Sequence, residues 1–182
     1  MRASPSPAPS TDGSAGVMSE GDAGHAPVTL ATGPHDLADA GLLLHDFNTE
    51  YDDVTPGAAA LADRLAMVVA EGDTDVLLVG QAEGVAVLRY RRSLWSRADE
   101  CYVAELYVVP ARRGSGLGRL LLRACVDRAV LRGCDFMDLA TSEDDVGARH
   151  LYESEGFRRT EGDDGPLTFH YERELVPRPD GR

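Results

Sequence analysis

Three glycines and three arginines lie close together in the stretch VVPARRGSGLGR, residues 108–119. This stretch follows an apolar run and precedes leucines at helical spacing, so it predicts a loop between a strand and a helix. At such a junction the backbone N–H groups at the start of the helix point outward together and can bind phosphate. Glycine lets the backbone approach an anion closely, and arginine adds charge-assisted hydrogen bonds. The residues therefore predict a phosphate-binding loop.

Other glycine-rich loops are less consistent with this spacing. The dinucleotide fingerprint GxGxxG needs its third glycine three residues after its second, whereas Gly116 and Gly118 are two apart. Asp138 does follow at the distance of that motif's ribose-binding acid, but the motif normally follows the first strand of its unit and this loop follows the fourth. All 18 basic residues are arginine, which excludes a GK[ST] phosphate loop. A purely structural turn is the remaining alternative, although it does not explain the arginines.

The charge of the chain also indicates an anionic ligand at this loop. The formal net charge is -13, which argues against binding to nucleic acid. Residues 112–132 nevertheless contain six arginines and the single acid Asp127. We therefore expect one locally positive segment within an acidic protein.

The elements that must position the loop follow from apolar periodicity and from glycine and proline punctuation. Strands are predicted at 27–32, 75–80, 84–92, 100–109, 134–140, 157–160 and 167–173. Helices are predicted at 33–53, 55–72 and 116–132, and from a cap at Thr141 or Ser142 to Gly156. The fold class is α/β (α+β), with a mixed central sheet of about seven strands, helices on both faces and the order β-α-α-β-β-β-α-β-α-β-β.

A single domain at residues 27–176 is expected from the length of 182 residues and the hydrophobic share of 43%. Residues 1–26, rich in Pro, Ser, Ala and Gly, predict a disordered tail that contains a second candidate start at Met18, and residues 177–182 a flexible C-terminus. No apolar run is long enough for a bilayer or a signal core, so we expect a cytoplasmic protein without a membrane partner. The three cysteines lack CxxC spacing, which predicts neither a metal site nor disulfides.

Two motifs together carry a family resemblance. Arg113, Gly116 and Gly118 form the pattern RxxGxG after ELYVVP, and ARHLYESEGF follows at residues 148–157. Over residues 27 to about 175 the chain resembles the GNAT superfamily of N-acetyltransferases, including its order of elements. The resemblance implies acetyl-CoA as the acyl donor. Because dimers are common in that superfamily, it also makes a homodimer an expectation.

The resemblance implies a set of residues that contact coenzyme A. The backbone of Leu106, Tyr107 and Val108 would pair with the pantetheine arm as an added strand does, in a slot where the sheet splays near Val109 and Pro110. The phosphates would lie against Arg112, Arg113, Gly114, Ser115, Gly116, Leu117, Gly118 and Arg119. Asp145 stands where many relatives have an asparagine, and its carboxylate can accept a hydrogen bond from the arm but cannot donate one. As an alternative, Asp145 is a first-turn acid favoured by the helix dipole.

Two side chains are candidates for the proton transfers of acetyl transfer. Tyr152 matches the tyrosine of the LYExxGF motif, so the resemblance implies that it protonates the departing thiolate, whose ordinary pKa of about 8.5 is near that of a phenol. Glu105 lies in the strand before the loop, where several relatives carry an acid that deprotonates the amine. The alternatives are a core tyrosine and a strand acid that is solvated or paired with Arg89 or Arg91.

The acceptor is predicted from the segment HDFNTEYDD, in which the candidate contacts are Phe47, Asn48, Glu50 and Tyr51. Acids beside aromatic rings suit a cationic amine, although a solvated helix end has the same composition. The hypothesis is a small amine substrate: a polyamine, an aminoglycoside-like amine or an amino-acid amine. Two alternatives remain open, a protein N-terminal acetyltransferase and a catalytically silent module that only binds acyl-CoA.

Overall fold

The computed structural model describes residues 26–173 and residue 175. The predicted tail, apart from Ala26, and the predicted C-terminal segment lie outside these residues. The strands are β1 (Val28–Leu30), β2 (Thr74–Val79), β3 (Gly84–Arg92), β4 (Asp99–Val108) and β5 (Cys134–Leu139). The helices are α1 (Pro34–Glu50), α2 (Ala58–Glu71), α3 (Leu117–Leu131) and α4 (Val146–Ser154). No helix in the described ranges is both long and apolar enough to cross a bilayer.

The five strands form one sheet in the order β1-β2-β3-β4-β5. The first four are antiparallel neighbours, and β5 runs parallel to β4 after the α3 crossover. One face of the sheet packs against α1 and α2, and the other packs against α3, so β2 and β3 are buried on both sides. This arrangement confirms a mixed sheet with helices on both faces, and the order of elements is confirmed through α4.

The close packing of α1 on α2 depends on a glycine. A Cβ atom at Gly41 would lie 2.6 Å from the carbonyl oxygen of Ala58 and 2.7 Å from the amide nitrogen of Ala62. Any larger residue would force the two helices apart, because both contacts are with backbone. The α1–α2 pair is thus held tightly over the sheet face on which Glu105 lies.

The prediction of seven strands is wrong for the described residues, which contain five. The segments 157–160 and 167–173 make one isolated antiparallel bridge, between Thr160 and Leu167, instead of a strand pair. Beyond it, Phe169 and Tyr171 are 72% and 88% exposed. Alternating apolar residues show what a strand would bury, but pairing also requires a free neighbouring edge in register, which the pattern does not supply.

The predicted cap of α4 is also displaced. The helix begins at Val146, and the N-cap is Asp145, whose Oδ1 accepts a hydrogen bond from the Ala148 amide at 2.9 Å. Aspartate competes well with Thr and Ser for this role because its carboxylate also interacts favourably with the helix dipole. Thr141 and Ser142 are thereby left in the loop after β5.

Candidate active site

The glycine loop connects the end of β4 to α3. Gly114 and Gly116 adopt left-handed backbone conformations, with φ of 74° and 88°, which glycine tolerates without strain. Gly116 is the N-cap of α3. Within the described part of the chain, five amide groups at this junction have no backbone acceptor: those of Gly114, Gly116, Leu117, Gly118 and Arg119. These amides at a helix N-terminus fit the phosphates of coenzyme A.

Gly118 brings α3 close to its neighbours. A Cβ atom at this position would lie 3.4 Å from Cδ2 of Leu151 on α4 and 3.9 Å from Cγ2 of Val108 on β4. The first turn of α3 therefore lies directly against the end of β4 and the middle of α4.

The arginines of residues 112–132 do not form a free positive patch. In the structure Arg112 pairs with Glu83 at 2.9 Å, and Arg119 and Arg123 both pair with Glu155, at 2.9 and 2.7 Å. Further along α3, Arg128 and Arg132 approach Asp75. Acids from other elements thus neutralise charges that look unopposed in the sequence.

Arg113 is held by a network that also contains a predicted substrate residue. Its guanidinium donates two hydrogen bonds to the Glu50 carboxylate, at 2.6 and 2.7 Å, and its Nε donates to the Val108 carbonyl at 3.0 Å. The Tyr107 hydroxyl also donates to Glu50 at 3.2 Å, and the Tyr107 ring stacks on Phe47. The hydrogen bonds from Arg113 lower the pKa of Glu50. The C-terminal end of α1 is thereby fastened to the loop.

The sheet opens between β4 and β5 beside this network. Parallel pairing ends at Val103 and Leu139, so the splay begins earlier than the predicted position near Val109 and Pro110. Residues 104–108 continue β4 with no partner strand on the β5 side among the described residues. Their free backbone groups are positioned to pair with an extended ligand, as the resemblance implies for the pantetheine arm.

A cavity of about 710 Å³ follows this opening. Its walls include residues from β4, the glycine loop and α4, together with Phe47, Tyr51 and Asp53 at the end of α1. The wall opposite β4 consists of Leu139, Ala140, Thr141 and Ser142. These last four residues are not among the predicted site residues, although ligands commonly bind beyond the carboxyl ends of parallel strands. A slot of this size suits a ligand as large as acyl-CoA.

Tyr152 lines the cavity from α4 and is otherwise buried, with 9% of its surface exposed. Its ring packs against Phe157 at 6.1 Å between centroids. Burial, together with the Asp145 carboxylate, raises the pKa of Tyr152 to about 12. The hydroxyl therefore keeps its proton throughout the physiological pH range.

Glu105 faces α1 and α2, opposite Val87 of β3. Neither of the predicted pairings occurs, because Arg89 lies 3.6 Å from Asp73 and Arg91 lies 2.8 Å from Glu100. In the described ranges Glu105 has no hydrogen-bond or ion-pair partner, and burial raises its pKa. An unpaired, half-buried carboxylate on a cavity wall is well suited to accept a proton.

Of the other residues predicted to contact a ligand, some line the cavity and others do not. Asp145 lines the cavity, although one of its oxygens is used for the helix cap, and Gly114, Gly116 and Gly118 also line it. Ser115 instead donates to the Arg112 carbonyl at 2.6 Å. Asn48 donates to the Val54 carbonyl and lies outside the cavity lining. The structure thus brings Tyr152, Glu105 and the loop glycines together, but it does not bring Asn48 to them.

Comparison with known proteins identifies the family of this chain. The model of the Acetyltransferase (GNAT) family matches residues 38–157, which is most of the described domain. The chain belongs to the GNAT family. This match confirms the resemblance drawn from the glycine loop and the LYESEGF segment.

Solved structures resemble this GNAT domain over most of its length. A candidate acetyltransferase from Arthrobacter sp. FB24 is 38% identical, with a TM-score of 0.77, and the match covers 86% of this chain and all of that one. An aminoglycoside acetyltransferase from an uncultured soil metagenomic sample, solved with sisomicin, has a TM-score of 0.65. At 15% identity over 82% of this chain and 97% of that chain, the second structure supports the fold alone.

Curated relatives of this GNAT protein are more distant. Thialysine N-epsilon-acetyltransferase of Mus musculus is 28% identical over 108 residues, which cover 57% of this chain and 63% of that protein. Mycothiol acetyltransferase of Gordonia bronchialis is 29% identical over 106 residues, 57% of this chain and 33% of that protein. The chain therefore spans less than two thirds of the length of the curated relatives it matches.

Proposed function

We propose that this protein transfers the acetyl group of acetyl-CoA to the primary amine of a small molecule, by direct attack within a ternary complex. The observation that carries the proposal is one cavity whose walls include the unpaired carboxylate of Glu105, the hydroxyl of Tyr152 and the glycine loop. Acetyl-CoA supplies a thioester, which is reactive toward amines and leaves a thiolate. Family membership supports this donor, and the free amides at the start of α3 fit its phosphates.

Glu105 is the proposed base. An amine is protonated at neutral pH and must lose a proton before its nitrogen can form the new bond to the acetyl carbon. Glu105 accepts that proton, directly or through one water molecule, and passes it to solvent. After attack the nitrogen releases a second proton by the same route, which leaves a neutral amide. The raised pKa of the half-buried carboxylate makes it a stronger base than an exposed glutamate.

Tyr152 is the proposed acid. As the carbon–sulfur bond breaks, negative charge develops on the sulfur, and the Tyr152 hydroxyl donates first a hydrogen bond and then its proton. With a pKa of about 12, Tyr152 is a weaker acid than an exposed tyrosine. Tyr152 therefore first stabilises the developing thiolate through a hydrogen bond, and it transfers its proton to the sulfur as the carbon–sulfur bond breaks. Solvent then returns a proton to the phenolate.

The test is a thiol-release assay with purified protein, acetyl-CoA and a panel of amines. We expect release that depends on one class of amine and falls by about 10²-fold or more in Tyr152→Phe, because general acid catalysis contributes that much. Tyr171→Phe is the matched control, since Tyr171 is 88% exposed and lies outside the cavity lining. Binding of acetyl-CoA without release from any amine would contradict the proposal and favour a silent acyl-CoA-binding module.

A further inference from the structure

A second, smaller cavity of about 310 Å³ lies on the sheet face covered by α1 and α2. Its walls consist of Leu44, Leu61, Arg64, Leu65, Val68, Val87, Arg89, Tyr102, Ala104 and Glu105. Ala104 and Glu105 line both this cavity and the larger one. The second cavity is therefore adjacent to the proposed base, on the side away from the glycine loop.

The charges in the second cavity are positive, apart from Glu105 itself. Arg64 of α2 has no ion-pair or hydrogen-bond partner among the residues that the structure describes. Arg89 of β3 has one acidic neighbour, Asp73, at 3.6 Å, and both side chains are more than 40% exposed. Such exposed pairs are weak, so Arg89 can turn toward a ligand. Two available guanidinium groups among mostly apolar side chains are chemically suited to bind a carboxylate.

The strand register places Arg89 and Glu105 near each other on this face of the sheet. Val87 is opposite Glu105 in the β3–β4 ladder, and Arg89 is two residues further along the same face of β3. Two residues of a strand span about 7 Å. A molecule with an amine at Glu105 and a carboxylate at the arginines therefore needs only a few carbon atoms between them, and the leucine side chains can contact these carbons.

We propose that the second cavity binds the acceptor as an amine that also carries a carboxylate, with the carboxylate at Arg64 and Arg89 and the amine at Glu105. The inference rests on the proposed acetyl transfer and selects one of the substrate classes that the sequence left open. A polyamine would place a second positive charge beside two arginines, which is unfavourable. The acids at the end of α1 do not offset this, because none of them lines the second cavity and Arg113 already pairs with Glu50.

The experiment compares matched amines that differ only at the far end. Each ω-amino carboxylate from glycine to ε-aminocaproate is assayed beside its amide, by thiol release with acetyl-CoA. We expect kcat/KM to favour the carboxylate by about tenfold or more at the best chain length, because charge-assisted hydrogen bonds to arginine have that strength. Binding of the same ligands is measured independently by ligand-detected NMR.

The variants Arg64→Gln and Arg89→Gln test the recognition. We expect each to reduce the preference for the carboxylate over the matched amide several-fold, and the double variant to abolish it. Arg97→Gln is the matched control, because it removes one positive charge from an exposed loop position outside both cavities. In this control the preference should be that of the native protein.

The two readouts separate this inference from the proposed function. Thiol release without preference for the carboxylate, or a preference that survives the double variant, would overturn the inference and leave acetyl transfer standing. No release from any amine, with carboxylate binding that depends on Arg64, would support the cavity's specificity and contradict acetyl transfer. Neither release nor Arg64-dependent binding would contradict both.

Discussion

Glu105 is a half-buried acid that no described residue neutralises. Its carboxylate must be ionised to accept a proton, and burial raises its pKa, so activity should fall as the pH drops through that raised value. Below this pH the base is already protonated. The acid side of the pH profile is therefore a direct signature of this residue.

Glu105→Gln should lower kcat/KM by about 10²-fold and remove the acid side of the profile. The measurement is kcat/KM for the best amine as a function of pH, in native protein and variant. Glu161→Gln serves as a charge-matched control at an exposed position and should keep the native profile. If Glu105→Gln kept the native profile, the base would have to be another group.

At the scale of one element, α3 shows how backbone conformation can be tested apart from ligand binding. Both ends of the helix have a glycine with positive φ, Gly116 at 88° and Gly133 at 82°, and a Cβ atom at either position would contact nothing within 4 Å. Only Gly116 lies at the amides that we assign to the phosphates. The two glycines are thus a matched pair.

Gly116→Ala and Gly133→Ala should each lower the free energy of unfolding by about 1 kcal/mol, because alanine is strained at positive φ. Only Gly116→Ala should weaken acetyl-CoA binding, by about tenfold or more, since relaxation of that strain displaces the loop amides. Denaturation and calorimetric titration measure the two effects. Equal affinities in the two variants would place the phosphate site elsewhere.

The contact between α1 and the glycine loop makes Glu50 a competitor of phosphate for Arg113. If Arg113 binds phosphate, it must first give up part of its two hydrogen bonds to Glu50. An exposed ion pair contributes up to about 1 kcal/mol, so Glu50→Gln should tighten acetyl-CoA binding by up to about fivefold. Arg113→Gln should weaken binding in either background.

Titration calorimetry measures acetyl-CoA binding to the native protein, both single variants and the double variant. Together the four affinities form a double-mutant cycle, which gives the coupling between Glu50 and Arg113. A weaker affinity in Glu50→Gln would show the opposite relation, in which Glu50 holds Arg113 in its binding position. The conservative variant Glu50→Asp, whose shorter side chain keeps the charge, is the control for loss of charge.

At the scale of the whole molecule, Asp75 connects the sheet to α3. It is buried, with 7% of its surface exposed, and its Oδ2 accepts hydrogen bonds from Arg128 at 2.7 Å and from the Tyr90 hydroxyl at 2.9 Å. Burial alone would raise the pKa of Asp75, but these hydrogen bonds outweigh burial and lower it. A carboxylate with a lowered pKa stabilises the fold above its unfolded pKa of about 3.9, and this stabilisation is lost as the pH falls through the folded value.

Asp75→Asn should lower the free energy of unfolding at neutral pH by about 2 to 4 kcal/mol, because Arg128 is left without its buried partner. The variant should also lose less stability than the native protein as the pH falls below about 4. Denaturant unfolding across this pH range is the measurement. Asp127→Asn on the exposed side of α3 is the control, and a similar loss in both variants would indicate a general charge effect.

The sequence by itself determined the features that depend on local geometry. The glycine loop between β4 and α3, the end of α2 at Gly72 and the order of elements from β1 to α4 follow from glycine conformation and apolar periodicity, which act within a few residues. The two motifs that indicate the GNAT family are local in the same sense. One of these motifs identifies Tyr152 as the candidate acid. Without the motif, a lone tyrosine on an amphipathic helix predicts only a core residue.

Only the tertiary structure decided which charges meet. Arg113 and Glu50 are 63 positions apart, and Asp75 and Arg128 are 53 apart, so a local excess of arginine in the sequence says nothing of the acids that neutralise it. The isolation of Glu105, the early splay of β4 from β5 and the cavity beside Arg64 also depend on how elements pack. The prediction of a final strand pair is wrong for the same reason, because an alternating pattern does not specify the partner edge.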